Sequence, residues 1–351
     1  MLDCSVLPLP SFSTKGRHSV SGLSSGAFMT VQLHIAHSSD FIGAGVIAGG
    51  PYRAAESYRA APTAPSSCIL NSLYIAMTPL TASVAPDASA LVEQARATGN
   101  IDPLDNLATQ RLYIFTGTKD AVVNQYAVRS TRAFYESLGV SGDALCFVDD
   151  VPAGHSIITT NPEDSPLSAN QPPYINKGDY MQSHKILDHI YPGAKPAADR
   201  PKGDLLRFEQ ADYVEGPQER ACMAEFGYVY IPSAVAAGKA KPLGVHVVLH
   251  GCKQGYAYVD YINGREDIQN TPPYGDRYVR TTGYMEWAEA NNLIILFPQA
   301  DGGDSTVVQN PDGCWDWWGY SAQDPNTPDY YSQDAVQIKA IKAMLTRLTT
   351  G

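Results

Sequence analysis

The stretch Ser21-Gly22-Leu23-Ser24-Ser25-Gly26-Ala27 (SGLSSGA, residues 21–27) decides how the rest of the chain is read. It contains G-x-S-x-G, a spacing that sets a serine on a sharp turn between a strand and a helix with its hydroxyl exposed. The surroundings fit that setting. His18-Ser19-Val20-Ser21 reads as a strand entering the turn, and residues 25–37 read as a helix with Phe28, Val31 and Ile35 on one face. Glycines flank the serine because strand and helix approach each other too closely there for side chains. The position is unusual. Strands and a loop supplying oxyanion donors ordinarily precede such a turn, and here only 17 residues precede His18.

The whole chain can afford a large core. Of its 351 residues 44% are hydrophobic and 17% charged, with a formal charge of −11. That acidic balance, with no Lys or Arg run, excludes a phosphate-backbone partner, because nucleic-acid binding needs a basic footprint. No apolar run is long enough to span a membrane. The opening MLDCSVLPLPSFS lacks the basic start and apolar run of a secretory signal, so export would use a leader outside this sequence. Six cysteines (Cys4, Cys68, Cys146, Cys222, Cys252, Cys314) form no C-x-x-C, which disfavours zinc and dithiol-redox readings and leaves disulfides or buried thiols.

Short β-branched runs alternate with helix-period stretches, the pattern of a mostly parallel central sheet with helices on both faces. Strands are expected at 43–50, 111–117, around LCFVDDV, and in FGYVYIP, GVHVVLHG and NLIILFPQ; helices at 126–139, 184–191 and about 332–348. Residues 153–183, rich in Pro, Asn and Ser, read as a long functional loop, and 192–204 as a linker. The second half has strands but no complete layer set of its own. It supplies what the first half lacks, so residues 1–351 are read as a single α/β domain without a separate substrate-binding domain.

A serine hydroxyl needs a base. Of eight histidines, His155 follows a strand in a turn-rich loop, DDVPAGHS, and is the best candidate. The others (His18, His34, His37, His184, His189, His246, His250) fall on expected strands, helices or a strand end. The chain order Ser, acid, His selects Asp120, just beyond the strand RLYIFTG; Asp149 and Asp150 are rivals, and Asp102 and Asp105 suit turn or cap roles. One oxyanion amide is Ser25, opening the helix. The second comes from downstream, where the strand GVHVVLHGCKQ ends at His250-Gly251-Cys252, giving Cys252. The sheet is therefore read as a circularly permuted α/β-hydrolase fold, with the nucleophile strand first and the oxyanion strand later.

Together VSGLSSGAFM, GVIAGGPY, GTKDAVV, VPAGHS, PYIN, LHGCKQ, NNLIILFPQA and GCWDWWGY resemble extracellular poly(3-hydroxybutyrate) depolymerases of the single-domain, circularly permuted type, over nearly the whole chain. The resemblance implies a secreted, cofactor-free esterase of water-insoluble short-chain polyesters, with Ser24, Asp120 and His155 as triad and the amides of Ser25 and Cys252 as oxyanion hole. It also implies a Cys252–Cys314 disulfide. A monomer is expected, and no metal. Departures lie in a longer Tyr-rich stretch at 255–282 and a short DGGDSTVV loop, which leave feruloyl, acetyl or aromatic esters as alternative substrates and, from another class, a non-catalytic polymer-binding protein. Tyr256, Tyr258 and Tyr261 are candidates for an apolar substrate surface, and Trp315, Trp317 and Trp318 for gripping polymer, although such tryptophans commonly belong to the core. GAGVIA lacks the helix and acid of a dinucleotide site, and DGGDS reads as a polar turn rather than a calcium loop.

Overall fold

A computed structural model describes residues 6–57, 72–216, 218–259, 261–262, 265–266, 273–304, 308–324 and 327–351. Nine strands form one sheet: β1 Val6–Leu7, β2 His18–Leu23, β3 Phe41–Ile47, β4 Arg111–Phe115, β5 Leu145–Val148, β6 Asp204–Glu209, β7 Phe226–Ile231, β8 Val245–Leu249 and β9 Ile294–Phe297. β3 and β9 are apolar runs without alternation, as for strands covered on both faces; β8 and β9 are buried at every residue.

Their spatial order is β1-β6-β7-β9-β8-β2-β3-β4-β5. Only β7 runs antiparallel to its neighbours. The strand bearing the elbow, β2, sits between β8 and β3, although β8 follows it by more than two hundred residues of sequence. This is the α/β-hydrolase sheet entered at the strand that leads into Ser24, which is the circular permutation expected from the sequence. One continuous sheet therefore draws on both halves of the chain.

Register explains the site's location. Val248 pairs with Ser21 and Leu249 with Gly22, while Leu23 pairs with Ile47 and Ile47 with Phe115. The carboxyl ends of β8, β2, β3 and β4 thus lie level, and ligands in such sheets bind outside those ends.

Helix α1, Ser25–Ala36, is buried along its full length rather than on the single face of Phe28, Val31 and Ile35. Its polar residues are accordingly bonded: Gln32 Nε2 donates to Phe28 O (3.0 Å), and His34 Nδ1 lies 2.9 Å from the Tyr135 hydroxyl. The expected linker is pinned instead of free, with Lys195 N donating to Asn291 Oδ1 (2.8 Å) and Ala198 N to Glu286 O (2.9 Å). The last helix starts at Val336, not near Ser332, because residues 329–335 are spent on successive turns. The 153–183 loop contains a small sheet of Ile157–Thr159, Ile175–Lys177 and Ser165–Pro166. Among the described residues, no helix is long and apolar enough to cross a membrane.

Candidate active site

The elbow is built by glycines. A Cβ on Gly22 would lie 2.3 Å from Gly26 O, and one on Gly26 would lie 2.3 Å from both Leu249 O and His250 O. Any side chain there would push α1 off the sheet. Between them Ser24 holds φ 57° and ψ −124°, a strained backbone for a non-glycine residue. Ser24 N donates to Ile47 O (3.0 Å), which ties the turn to β3.

Asp120 and His155 come from the loops that follow β4 and β5. A Cβ on Gly117 would sit 2.0 Å from Ala153 O, so the loops touch through backbone, and Thr118 N and Lys119 N donate to Val151 O (2.8 Å) and Ala153 O (3.0 Å). Asp120 Oδ1 accepts from the N–H groups of Val122 and Val123, both at 2.8 Å, and Oδ2 lies 2.8 Å from His155 Nδ1. Both side chains are only 1% exposed. A carboxylate only accepts, so Nδ1 carries the proton and Nε2 is the basic nitrogen. The Tyr174 ring meets the imidazole edge-on at 5.3 Å.

The rival groups have other partners. Asp149 pairs with Arg129 (3.1 Å), Asp150 and Asp105 are exposed, and Asp102 accepts from Ser39 N (2.9 Å) and Gln333 Nε2 (3.0 Å). His18 Nδ1 accepts from Val245 N, His184 and His189 donate to Gly283 O and Ala144 O, and His37 faces Asp40 at 3.8 Å. His246 lies between Ser19 Oγ (2.6 Å) and Ser21 Oγ (2.8 Å), beneath the elbow.

At the end of β8, His250 donates from Nδ1 to Gly251 O (2.7 Å) and accepts at Nε2 from Ala300 N (3.0 Å). Burial pushes its pKa down to about 4, against the opposing pull of the Gly251 bond. The amides on either side of Cys252 are committed, Gly251 N to Gln254 Oε1 (2.6 Å) and Lys253 N to Asp312 O (2.7 Å). Gln254 Nε2 donates onward to Pro173 O (2.6 Å), joining this loop to the one bearing His155. Cys252 is disulfide-bonded to Cys314. Cys146 and Cys222 are free thiols, and Cys4 and Cys68 lie outside the described residues.

Beyond Cys314 the chain turns around Asp316. Its buried carboxylate accepts from the N–H groups of Trp318, Gly319, Tyr320 and Ser321 and from the Ser321 hydroxyl. That turn sorts the tryptophans. Trp317 stacks on Phe28 at 3.9 Å and Trp318 crosses Trp317 edge-on at 5.4 Å. Both face a cavity of about 490 Å³, whose wall also includes Ser24, Ser25, His155, Cys252, Met77 and Val122. Trp315 corrects the expectation: it is fully buried, 5.5 Å from the His250 ring, and belongs to the core.

Two of the tyrosine candidates also need correction. Tyr258 is buried at 3% exposure, and Tyr256 packs on Tyr228 (5.6 Å) beneath the Arg207 guanidinium (4.9 Å) instead of lining the cavity. Tyr261 lies in a short strand paired with Arg265–Glu266, and its side chain falls outside the described residues. Sequence reasoning missed Phe28, Met77, Val122 and Tyr174 as lining residues, and Gln254 as a tie between loops. Phe28, Val122, Tyr174 and Gln254 stand in the motifs VSGLSSGAFM, GTKDAVV, PYIN and LHGCKQ, and Met77 in none of them.

A search against models of known protein families finds no match. Among characterised proteins, the chain is 35% identical over 340 residues to a poly(3-hydroxybutyrate) depolymerase of Delftia acidovorans, covering 96% of this chain and 60% of the relative. It thus spans three-fifths of that protein's length. A polyhydroxybutyrate depolymerase of Talaromyces funiculosus is 31% identical over 359 residues, with 98% of this chain and 93% of the relative covered. Among solved structures, a PHB depolymerase variant complexed with R3HB trimer superposes with a TM-score of 0.78 at 27% identity. The PHB depolymerase of Penicillium funiculosum gives 0.77 at 28%, and each match covers 98% of this chain and 99% of the other. With a relative matched over nearly its full length on the same permuted fold, the chain belongs to the polyhydroxybutyrate depolymerase family.

Proposed function

We propose that this chain is a serine esterase that cleaves poly(3-hydroxybutyrate) or its oligomers. The observation that carries the reading is the buried 2.8 Å bond from His155 Nδ1 to Asp120 Oδ2, beside a cavity that His155 shares with Ser24. His155 Nε2 takes the proton as Ser24 Oγ attacks the ester carbonyl, and Asp120 stabilises the imidazolium. The amides of Ser25 and Cys252 receive the oxyanion. The imidazolium then protonates the departing alkoxide oxygen, releasing it as a hydroxyl, and water, activated by the same base, hydrolyses the acyl-enzyme.

The apolar wall of Phe28, Met77, Val122, Trp317 and Trp318 suits an aliphatic ester chain, and no part of this sequence of steps requires a cofactor. The Cys252–Cys314 bond favours an oxidising compartment, so we place the enzyme outside the cell. It acts as a monomer, with the polymer or an oligoester as its partner. The test is release of soluble 3-hydroxybutyrate products from amorphous polymer granules. Release by the wild type and not by Ser24→Ala supports the reading. Failure of the wild type on granules and trimer, with a short p-nitrophenyl ester still cleaved, would keep the esterase chemistry and reject the polyester.

A further inference from the structure

Asn170 stands in the Pro- and Ser-rich loop, outside the motifs that mark the site. Its side-chain amide makes four hydrogen bonds, all to backbone. Oδ1 accepts from the N–H of His155 (2.9 Å) and the N–H of Ala121 (2.9 Å). Nδ2 donates to Lys119 O (3.0 Å) and Ser168 O (3.2 Å). Backbone N–H groups only donate and carbonyls only accept, so the amide has one possible orientation. Both lone pairs and both hydrogens are used. Three of the four partners bracket the acid–base pair: the residue on each side of Asp120, and His155 itself.

The backbone bonds between the two loops stop at Ala153, two residues short of His155. Asn170 makes the next connection, at the residue where placement of the imidazole matters. We propose that Asn170 is a positioning residue, holding the His155 and Asp120 loops in the register that aims Nε2 at the nucleophile; this rests on the triad reading above. No other side chain reproduces its bonds. Aspartate keeps the two acceptor contacts and loses both donors, and alanine loses all four.

The test compares Asn170→Ala and Asn170→Asp with wild type on a soluble ester, with active sites counted by a fluorophosphonate. A misplaced base slows chemistry without weakening ground-state binding. Asn170→Ala is therefore expected to lower kcat per titrated site about 10- to 100-fold, with KM within about twofold. Asn170→Asp should retain more kcat, and its acid limb of kcat/KM should move to higher pH, because a carboxylate near His155 favours the imidazolium. A structural role alone would lower Tm and leave kcat per site unchanged, and that result overturns the inference. Should Asn170→Ala fail to fold, kcat per titrated site of Asn170→Asp decides: a loss with KM unchanged supports the inference, and the wild-type value overturns it. Asp120→Asn and His155→Ala run alongside: wild-type turnover in these would reject the triad itself, whereas their loss with Asn170→Ala unaffected rejects only the role of Asn170.

Discussion

The loop from 153 to 174 and the strand end at 249–254 each carry a histidine that is 1% exposed and follows a strand of the same sheet. Their surroundings separate them. His155 has a carboxylate on Nδ1 and borders the cavity. His250 has backbone on both ring nitrogens and does not border it. An imidazole bonded to a carbonyl on one side and an amide on the other is held neutral and serves as a brace. Burial alone does not make a base; an ionised partner and access to a reacting atom do.

Substitutions break this contrast in a graded way. The largest effect is expected for His155→Ala, which should lower kcat on a soluble ester by about 10⁴-fold or more with little change in Tm. Asp120→Asn should approach it, because the amide can stabilise the wrong tautomer. Next comes the disulfide beside His250. The double change Cys252→Ser, Cys314→Ser opens a link spanning 62 residues, and chain-entropy arguments put the loss at about 4 kcal/mol. Denaturant unfolding would read that loss directly. His250→Ala should cost about 1–3 kcal/mol by orphaning Ala300 N and Gly251 O. Its kcat should fall far less than that of His155→Ala, and a 10⁴-fold loss in His250→Ala would erase the distinction drawn here.

The remaining contrast is in pH dependence. Burial pushes His250 and His34 down to about 4 and His246 to about 3, from an ordinary 6.5. Below 6.5 the unfolded chain binds protons that the folded chain refuses, so stability rises with pH in this window. It is fully present above about 6.5 and declines as pH falls toward 4 and then 3. Denaturant midpoints at pH 7.5, 6, 5 and 4 check the trend; a His250→Ala variant should show a shallower decline between 6.5 and 4.

Much of this site is legible in the sequence because local sterics write it there. Gly22 and Gly26 must be glycine for α1 to approach β2 and β8, so the spacing around Ser24 announces the turn. Asp120 and His155 follow from chain order and strand ends, and the permutation from β8, which arrives late in the chain and pairs with β2. What was not legible depends on long-range packing. Trp315, Trp317 and Trp318 are neighbours in sequence, yet the turn around Asp316 sends one to the core and two to the cavity. Tyr258 sits in a polar, tyrosine-rich stretch and is buried all the same. Helix α1 shows no exposed face because elements from distant parts of the chain cover it. Asn170 looks like an ordinary loop asparagine until its four backbone partners are seen together.

The most direct test of the central claim is covalent. Wild-type protein is treated with a fluorophosphonate, digested, and the modified peptide identified by mass spectrometry. The account predicts a single adduct on Ser24, formed rapidly in wild type and at a rate lower by orders of magnitude in His155→Ala. An adduct on another serine, or no adduct on folded wild-type protein, would contradict it.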